Sequence, residues 1–543
     1  LAAHLPGEAA EALLELATGG KPRYRPPVAP EKSFEHPDVE RRFRLVGSAA
    51  ELEQALSYPW EKWTVFLHPD QRSLVEEDAA GPMRISGSAG TGKTIVALHR
   101  AVFLARRYPE ARVLLTTFSD ILASALKNQL SRLISSRHEP RLMERIDVRS
   151  MDGLGRDLYT ARRNCTPRIA AKEDIRSILT EAMREIEGHR FKLPFLMSEW
   201  EDVIDAWRLE TWEAYRKFRR SGRKTRLSEQ QRSLLWQVFK RAEERLAELG
   251  MMTSSMLFGR LTDDAAQRHN RLYDFIVVDE AQDIGVAQLR FLAALGAHRS
   301  DALFFTGDLG QRIFQQPFSW KDLGVDIRGR SRTLRVNYRT SHQIRTHADR
   351  LLAPEIYDLD GNTEKRDETV SIFNGPAPTI LTVKDEKQER ETVRSWISAR
   401  LNEGAAPHEI GIFVRSDMQI PRAENAVKSL PVSYTILDEK VAAYENTLSI
   451  GTMHMAKGLE FKVVVVMACD SDIIPLEARM EDSGDEVEME EIYNTERHLL
   501  YVACTRARDH LLLTGVVPVS EFLDDLGIVD QYGPNRYDRQ KHI

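Results

Sequence analysis

Residues 87–94 combine glycine, lysine and threonine at a spacing that suits the binding of a polyphosphate. Glycines let the backbone pass close to phosphate oxygens with its N–H groups turned inward. Lys93 would reach the terminal phosphates, and the Thr94 hydroxyl would hold Mg²⁺. The segment therefore predicts a nucleoside triphosphate site; a glycine-rich turn that binds nothing is the alternative. The expected lining residues are Gly87, Ser88, Ala89, Gly90, Thr91, Gly92, Lys93 and Thr94.

Two adjacent acids, Asp279 and Glu280, follow an apolar run at residues 276–278. Open α/β sheets bind ligands at the carboxyl ends of their strands, where these side chains would lie. Asp279 would hold Mg²⁺ through its water shell, and Glu280 would orient and deprotonate an attacking water. An isolated pair of this kind is more typical of a solvated acidic turn. Its position after a phosphate loop in the same α/β unit favours the catalytic interpretation.

The elements around the loop alternate between strand and helix. Residues 84–86 end a strand candidate, 95–108 have the periodicity of an amphipathic helix, and 112–117 form the next strand candidate. This βαβ order places the loop at a helix N-terminus, which attracts anions.

The rest of the chain divides into blocks of different periodicity. Residues 121–261 have a helical pattern, and strand candidates return at 273–278 and 302–306. The strand candidates of a second block, from about 344 to 515, are 379–383, 410–414, 448–451, 463–467 and 511–513. We therefore predict an α/β fold of two blocks with parallel sheets and a helical insertion in the first.

The predicted domain bounds follow these blocks. Residues 1–33 are an N-terminal helix and linker and, because the chain begins at Leu1 and not at Met, we expect an upstream region before it. The other bounds are 34–120 and 266–343 for the two parts of the first lobe, 121–265 for the helical insertion, and 344–543 for the second lobe.

The bulk composition excludes several classes of protein. The 543 residues are 42% hydrophobic and 29% charged, with no apolar run of membrane-spanning length, which is typical of a globular chain. The three cysteines lie far apart without a C-x-x-C pair, which argues against a zinc or iron–sulfur site and fits a reducing cytoplasm. The net charge of −6 means that a nucleic-acid partner would have to meet a local basic surface.

Six further segments, together with the phosphate loop and the Asp-Glu-Ala-Gln-Asp run at 279–283, resemble the motifs of superfamily I helicases of the UvrD/Rep/PcrA type. All occur in the family order from about residue 68 to 515. The segments are 68–71, 116–119, 306–314, 337–340, 451–461 and 501–507. The resemblance implies two RecA-like lobes, with ATP and Mg²⁺ bound in the cleft between them.

The resemblance also implies roles for single residues of the nucleotide site. Gln71 would read the adenine edge with its donor and acceptor, and Tyr338 would stack on the base unless it packs in the core. Glu460 would bind the ribose. Three more side chains are expected around the γ-phosphate, the first to sense it and the arginines to stabilise its charge: Gln311, Arg339 and Arg506.

On the nucleic-acid side, stacking and phosphate contacts would hold single-stranded DNA. Phe118, Phe318 and Trp320 are the stacking candidates, with core packing as the alternative. Thr117, Thr452 and His454 match positions that contact DNA in the family. Residues 216–226 contain seven basic residues and no acidic one, and form either a solvated helix face or a phosphate-binding surface.

Several segments depart from the family pattern. Asp152 replaces the histidine of a DNA-contacting motif, and residues 314–321 replace the usual sequence after the third motif. The helical insertion that family members carry in the second lobe is missing or vestigial. We also expect no room for a nuclease domain after Leu513.

The sequence as a whole favours an ATP-dependent 3′→5′ DNA helicase or translocase, a monomer in isolation, located in a bacterial-type cytoplasm. Its expected partners are single-stranded DNA and single/double-strand junctions, without a membrane. Three alternatives remain: a translocase that remodels protein–DNA complexes and unwinds weakly, a nucleotide-gated DNA-binding module without turnover, and a small-molecule kinase.

Overall fold

The computed structural model describes residues 67–136, 139–186, 191–220, 227–267, 272–313, 318–438, 446–477 and 486–527. All of them belong to one compact unit, Thr64–Ile543. The predicted N-terminal helix and linker, 1–33, and the predicted start of the first lobe, 34–66, lie outside the described residues.

Strands and helices alternate over parts of the chain, and a helical stretch lies inside the first lobe. The strands are β1 Met83–Gly87, β2 Val113–Thr117, β3 Ile146–Ser150, β4 Phe275–Val278, β5 Leu303–Gly307, β6 Ser331–Leu334, β7 Val336–Asn337, β8 Glu355–Tyr357, β9 Thr363–Lys365, β10 Val370–Ser371, β11 Thr379–Val383, β12 Ile410–Val414, β13 Ser433–Ile436, β14 Thr447–Thr452, β15 Phe461–Val466 and β16 Ala507–Val516. The α-helices are α1 Pro69–Glu76, α2 Lys93–Arg107, α3 Asp120–Ser136, α4 Met151–Arg163, α5 Lys172–Glu185, α6 Leu193–Glu199, α7 Trp212–Lys217, α8 Glu229–Glu248, α9 Ser254–Ala266, α10 Val286–Gly296, α11 His342–Asp349, α12 Glu386–Asn402, α13 Ile420–Val427, α14 Glu486–Cys504 and α15 Phe522–Asp525. Strands β5–β7, β8–β11 and β13–β15 follow one another without an intervening α-helix in the described residues.

A six-stranded parallel sheet with the order β3-β2-β4-β5-β1-β6 forms the first lobe. Alternate residues of its central strands enter two different cores. Helices α2 and α3 cover one face, and α9 and α10 cover the other. Because both faces are buried, the central strands β2, β4 and β5 are largely apolar, as parallel strands usually are.

Strand β3 corrects the sequence prediction for residues 121–265, in which we expected helices alone. It pairs with β2 and extends the first sheet. Its residues Asp147 and Arg149 are charged, and only Ile146 and Ser150 are buried, so the apolar run that marks the central strands is missing. The helices between α4 and α9 then pack around their own core, which includes Trp200, Tyr215 and Phe239.

A second six-stranded parallel sheet, with the order β11-β16-β15-β12-β14-β13, forms the second lobe. Helices α12 and α13 pack on one face, and α11, α14 and α15 pack on the other. The prediction of an α/β fold with two parallel-sheet lobes is thus confirmed.

Two short two-stranded sheets are formed by residues that lie, along the chain, between the first six-stranded sheet and the second. Strand β7 pairs in parallel with β10, and β8 pairs with β9 as an antiparallel hairpin. In the second lobe, only residues 437–446 separate β13 from β14, so no helical domain interrupts the chain there. Among the described residues, no helix combines the length and the apolar character that crossing a membrane requires.

Candidate active site between the two lobes

The phosphate loop connects β1 to α2 at the carboxyl end of the first sheet, as predicted. Gly92 caps α2 in the left-handed conformation, with φ at 85°. A Cβ at this position would lie 2.4 Å from Nε2 of Gln71, so the glutamine predicted to read adenine packs directly against the loop. Gln71 Nε2 also donates to the Thr91 carbonyl at 3.0 Å.

The Lys93 ammonium group is buried within the loop. Its Nζ donates to the Gly87 carbonyl at 2.7 Å and to the Ser88 carbonyl at 2.9 Å, and lies 3.8 Å from Oδ2 of Asp308. The buried Ser88 hydroxyl has no hydrogen-bond partner among the described residues. A buried cation beside an unpaired hydroxyl and a helix N-terminus fits a polyphosphate ligand.

The Thr94 hydroxyl and the Asp279 carboxylate meet at the floor of the site. Oδ2 of Asp279 accepts from Thr94 Oγ1 at 2.8 Å, and Oδ1 accepts from Thr306 Oγ1 at 2.6 Å. Burial, followed by the charge of Glu280, raises the pKa of Asp279 to about 6. These hard oxygen donors fit Mg²⁺, whose charge would favour the ionised carboxylate.

Glu280 is the residue after Asp279. Its backbone is strained, because it adopts the left-handed conformation, with φ at 55°, without being glycine. Its Oε2 accepts from Nε2 of Gln282 at 2.5 Å. Oε1 of Gln282 accepts from the backbone N–H of Asp308 at 3.0 Å. Gln282 therefore connects the candidate base to the third motif. It lies inside the recognised acidic run, but we assigned it no role from the sequence.

Tyr338 lies beside the same loop. Its backbone N–H donates to the Gly90 carbonyl at 2.9 Å, and its ring is 5.5 Å from that of His68. Tyr338 is half-buried, and burial raises the pKa of its hydroxyl, which therefore stays neutral. Gln71 and Tyr338 thus contact the middle of the loop, at Thr91 and Gly90, whereas Asp279 contacts Thr94.

Three predicted γ-phosphate residues also come together across the cleft. Arg506 Nη2 donates to Gln311 Oε1 at 2.9 Å. Burial, followed by the nearby Arg339, lowers the pKa of Arg506 to about 10, so the guanidinium remains charged at neutral pH. Arg339 Nη1 donates to Glu460 Oε1 at 2.5 Å, and Nη2 donates to the Thr505 carbonyl at 3.1 Å. Glu460 is thus joined to an arginine here.

Lys457 is a cleft residue to which the sequence led us to assign no role, although it lies in the 451–461 motif. Its Nζ is 2.5 Å from Oδ2 of Asp283 and donates to the Gln311 carbonyl at 2.6 Å. Burial raises the pKa of Asp283 to about 7, and the Lys457 charge opposes that rise. Lys457 thus joins the second lobe to two first-lobe segments. Periodic spacing could not reveal this contact, since its partners are distant in the chain.

The DNA candidates of the two lobes lie at adjoining elements. Thr117 ends β2 and is fully buried, with its hydroxyl unpaired among the described residues, so its side chain is not open to a ligand here. Phe118, Thr452 and His454 are half-buried. The loop after Thr452 reaches the first lobe at Gly458, where a Cβ would lie 2.0 Å from Cδ2 of Leu122.

Phe318 and Trp320 pack against the first-lobe core and are both half-buried. The Trp320 ring meets Phe305 edge-on, with the centroids 4.8 Å apart, and the Arg84 guanidinium lies 5.5 Å from it. Trp320 is therefore held between core groups in this structure, as the packing alternative for these aromatic residues expected.

The basic run at 216–226 is described only as far as residue 220. Within that part, Arg220 is buried and donates to Oε2 of Glu199 at 2.7 Å, and Arg216 pairs with Glu229 at 3.1 Å. Both guanidiniums are paired with carboxylates of the helical insertion; the Arg220 pair is buried, whereas Arg216 is 53% exposed. Asp152 lies 3.5 Å from the Ser254 hydroxyl, and burial raises its pKa.

Gly458→Ala is expected to weaken the binding of single-stranded DNA, because the new methyl group would displace α3 at Leu122. We expect the dissociation constant to rise about tenfold, which corresponds to about 1.4 kcal/mol of binding free energy. Gly404→Ala is the matched control. Both glycines have positive φ, at 75° and 97°, but a Cβ at Gly404 would meet nothing within 4 Å. Fluorescence anisotropy with a labelled oligonucleotide measures the difference, and equal affinities in the two variants would contradict the prediction.

The two parallel sheets, the phosphate loop and the acids at the strand end define a two-lobed P-loop nucleotide-binding protein. Residues 67–319 match the UvrD/REP helicase N-terminal domain, and residues 437–517 match the UvrD-like helicase C-terminal domain. The chain belongs to the UvrD/Rep/PcrA-type superfamily I helicase family.

Individual relatives match only a short part of this chain. A putative ATP-dependent DNA helicase YjcD from Bacillus subtilis is 44% identical over 78 residues, which are 14% of this chain and 10% of the relative. The ATP-dependent DNA helicase PcrA of Staphylococcus epidermidis is 40% identical over 79 residues, with the same shares. A solved C-terminal domain of a possible DNA helicase from Lactobacillus is 20% identical, covers 35% of this chain and 93% of its own, and has a TM-score of 0.25, too low to support an argument.

Proposed function

We propose that this protein is an ATP-dependent DNA helicase or translocase that moves 3′→5′ along single-stranded DNA. The hydrogen bond between Gln311 and Arg506 is the main support for this proposal. It joins the first-lobe residue predicted to sense the γ-phosphate to the second-lobe arginine predicted to stabilise its charge. ATP bound between them would favour cleft closure, and hydrolysis would release it. The direction of movement rests on the family resemblance alone.

In the proposed reaction, water attacks the γ-phosphorus and the bond to the β–γ bridging oxygen breaks, which gives ADP and phosphate. Glu280 accepts a proton from the water, while Lys93, Arg339 and Arg506 face the phosphoryl oxygens. Mg²⁺ held near Thr94 and Asp279 would supply charge neutralisation for the phosphates. As the cleft closes and opens, the elements near Phe118 and His454 would hold single-stranded DNA in turn. This alternation would move the protein along the strand.

A translocase that displaces bound proteins and unwinds poorly is the second candidate. The short connection between β13 and β14, residues 437–446, favours it, because the family's usual helical insertion is absent from this point. A strand-displacement assay on a 3′-tailed duplex, run beside removal of streptavidin from a biotinylated 3′ end, separates the two. Streptavidin removal without unwinding would exclude the helicase.

Lys93→Ala is expected to abolish ATP hydrolysis stimulated by single-stranded DNA, because the variant loses the cation at the terminal phosphates. DNA binding without nucleotide should be unchanged. Phosphate release and oligonucleotide anisotropy test the two statements. A wild-type protein without DNA-stimulated hydrolysis would exclude the proposal and leave the nucleotide-gated binding module.

A further inference from the structure

The β8–β9 hairpin reaches from the second lobe to the first at its tip. Asp358 Oδ2 accepts from Arg84 Nη1 at 3.0 Å. Asp360 accepts from the Ser319 hydroxyl at 2.5 Å and from the Trp320 backbone N–H at 2.7 Å. The tip is therefore fixed to the segment that follows the third motif.

Arg366, immediately after β9, makes a second contact with the first lobe. Its side chain is 2% exposed, and its Nη2 donates to Asp308 Oδ1 at 2.9 Å. Its Nη1 donates to the Tyr501 hydroxyl at 2.7 Å and lies 3.4 Å from Asp349 Oδ1, both in the second lobe. One planar guanidinium thus bridges the cleft, a geometry that lysine cannot reproduce.

Asp308 connects Arg366 to residues of the nucleotide site. Its Oδ2 accepts from Gln311 Nε2 at 2.9 Å and lies 3.8 Å from Lys93 Nζ, while its Oδ1 accepts from the Gly310 N–H at 2.9 Å. Burial opposes the ionisation of Asp308, but Arg366 and Lys93 outweigh it and lower the pKa of the carboxyl. The carboxylate therefore stays charged between the two cations.

Gly310 provides the space in which the contact forms. A Cβ at this position would lie 1.7 Å from Arg366 Nη2 and 2.5 Å from its Cζ. The Tyr501 ring also lies beside the guanidinium, with its centroid 4.8 Å from Cζ. Because Arg366 is buried among close neighbours, a small displacement of either lobe would break its hydrogen bonds.

We propose that Arg366 is a positioning residue for ATP hydrolysis: on cleft closure it fixes Asp308, and through Asp308 the side chains of Gln311 and Lys93. The inference rests on the proposed function. Without Arg366, Asp308 loses the hydrogen bond that fixes it, so its carboxylate no longer has a set position relative to Lys93, which lies 3.8 Å away here. Gln311 also loses a fixed position for Asp308, the carboxylate that accepts from its Nε2. The Gln311 side chain is then no longer held where its Oε1 accepts from Arg506.

Arg366→Met is expected to lower the kcat of DNA-stimulated hydrolysis about 100-fold, the cost of a small misplacement of reacting groups. The affinity for a fluorescent ATP analogue should stay within about threefold, because the residue acts on closure and not on first binding. Arg366→Lys should restore part of kcat by returning the charge. Gly310→Ala, which removes no charge, should reproduce the loss by displacing the guanidinium.

Arg345→Met is the matched control. Arg345 is also buried and binds Asp349 Oδ2 at 2.7 Å and the Ser371 hydroxyl at 3.0 Å, but it does not reach Asp308. It should lower the thermal unfolding temperature without the loss of kcat. Equal kcat losses in Arg345→Met and Arg366→Met, or wild-type kcat in Arg366→Met, would overturn the inference. A wild-type protein without stimulated hydrolysis would instead refute the proposed function, and this inference with it.

Discussion

Glu280→Gln is expected to lower the kcat of DNA-stimulated ATP hydrolysis by about 10²- to 10⁴-fold, because the variant loses the group proposed to take a proton from the attacking water. Glutamine keeps the size of the side chain, and its amide oxygen can still accept from Gln282, which lies 2.5 Å from Oε2. The change therefore removes the base with little change in shape. Steady-state phosphate release, with and without single-stranded DNA, measures the effect.

Nucleotide binding should survive this substitution. Removing a negative charge beside Asp279 also removes one cause of the raised pKa of that carboxyl. The affinity for an ATP analogue should therefore be equal to that of the wild type or higher. Retained binding with lost turnover identifies Glu280 as a group that acts on the reaction itself.

Asp274→Asn is the matched control, since it exchanges an acid for its amide at the opposite end of the same strand, β4. Asp274 Oδ2 accepts from the Arg112 backbone N–H at 2.9 Å, and an amide oxygen can do the same. Its kcat should equal that of the wild type. If Glu280→Gln hydrolysed ATP at the control's rate, Glu280 would not be the base.

The central strands and the phosphate loop could be predicted because their signals are local. A buried parallel strand is a largely apolar run, and β4, β5 and β12 have this form. Strand β3 has charged residues at alternate positions, and β13 is short and half-exposed. Their order in a sheet depends on pairing with distant strands, which periodicity does not encode.

The residues of the site also fall into two groups, those that a local motif predicts and those that only a tertiary contact reveals. Lys93, Asp279 and Glu280 belong to compact motifs whose spacing indicates their chemistry. Arg366 belongs to no motif, and its contact with Asp308 exists only because the segment after β9 meets the third-motif segment of the first lobe across the cleft. Trp320 is predicted to stack on DNA from its position after the third motif, and only the structure shows that one edge of the half-buried ring packs on Phe305.

Arg506→Ala is expected to lower kcat about 10³-fold, the usual contribution of an arginine that stabilises charge developing on a phosphoryl group. The side chain is buried and donates from Nε to the Val502 carbonyl at 2.9 Å and from Nη2 to Gln311 Oε1 at 2.9 Å. These two bonds hold the guanidinium at the cleft before any ligand binds. Single-turnover phosphate release, with saturating DNA, measures the chemical step directly.

Arg506→Lys tests whether charge or geometry matters. Lysine keeps a positive charge, but its single ammonium cannot reach the Val502 carbonyl and Gln311 in the same arrangement. We therefore expect most of the loss to remain. Because the affected contact lies across the cleft, nucleotide affinity measured without DNA should change far less than kcat.

Arg400→Lys is the control for an arginine substitution in the second lobe. Arg400 contacts Glu403 and His510, which both belong to that lobe, so its loss should leave kcat unchanged. A kcat for Arg506→Lys close to this control would show that charge alone suffices. A kcat for Arg506→Ala close to it would exclude Arg506 from the reaction, and Arg339 would then be the remaining candidate at the γ-phosphate.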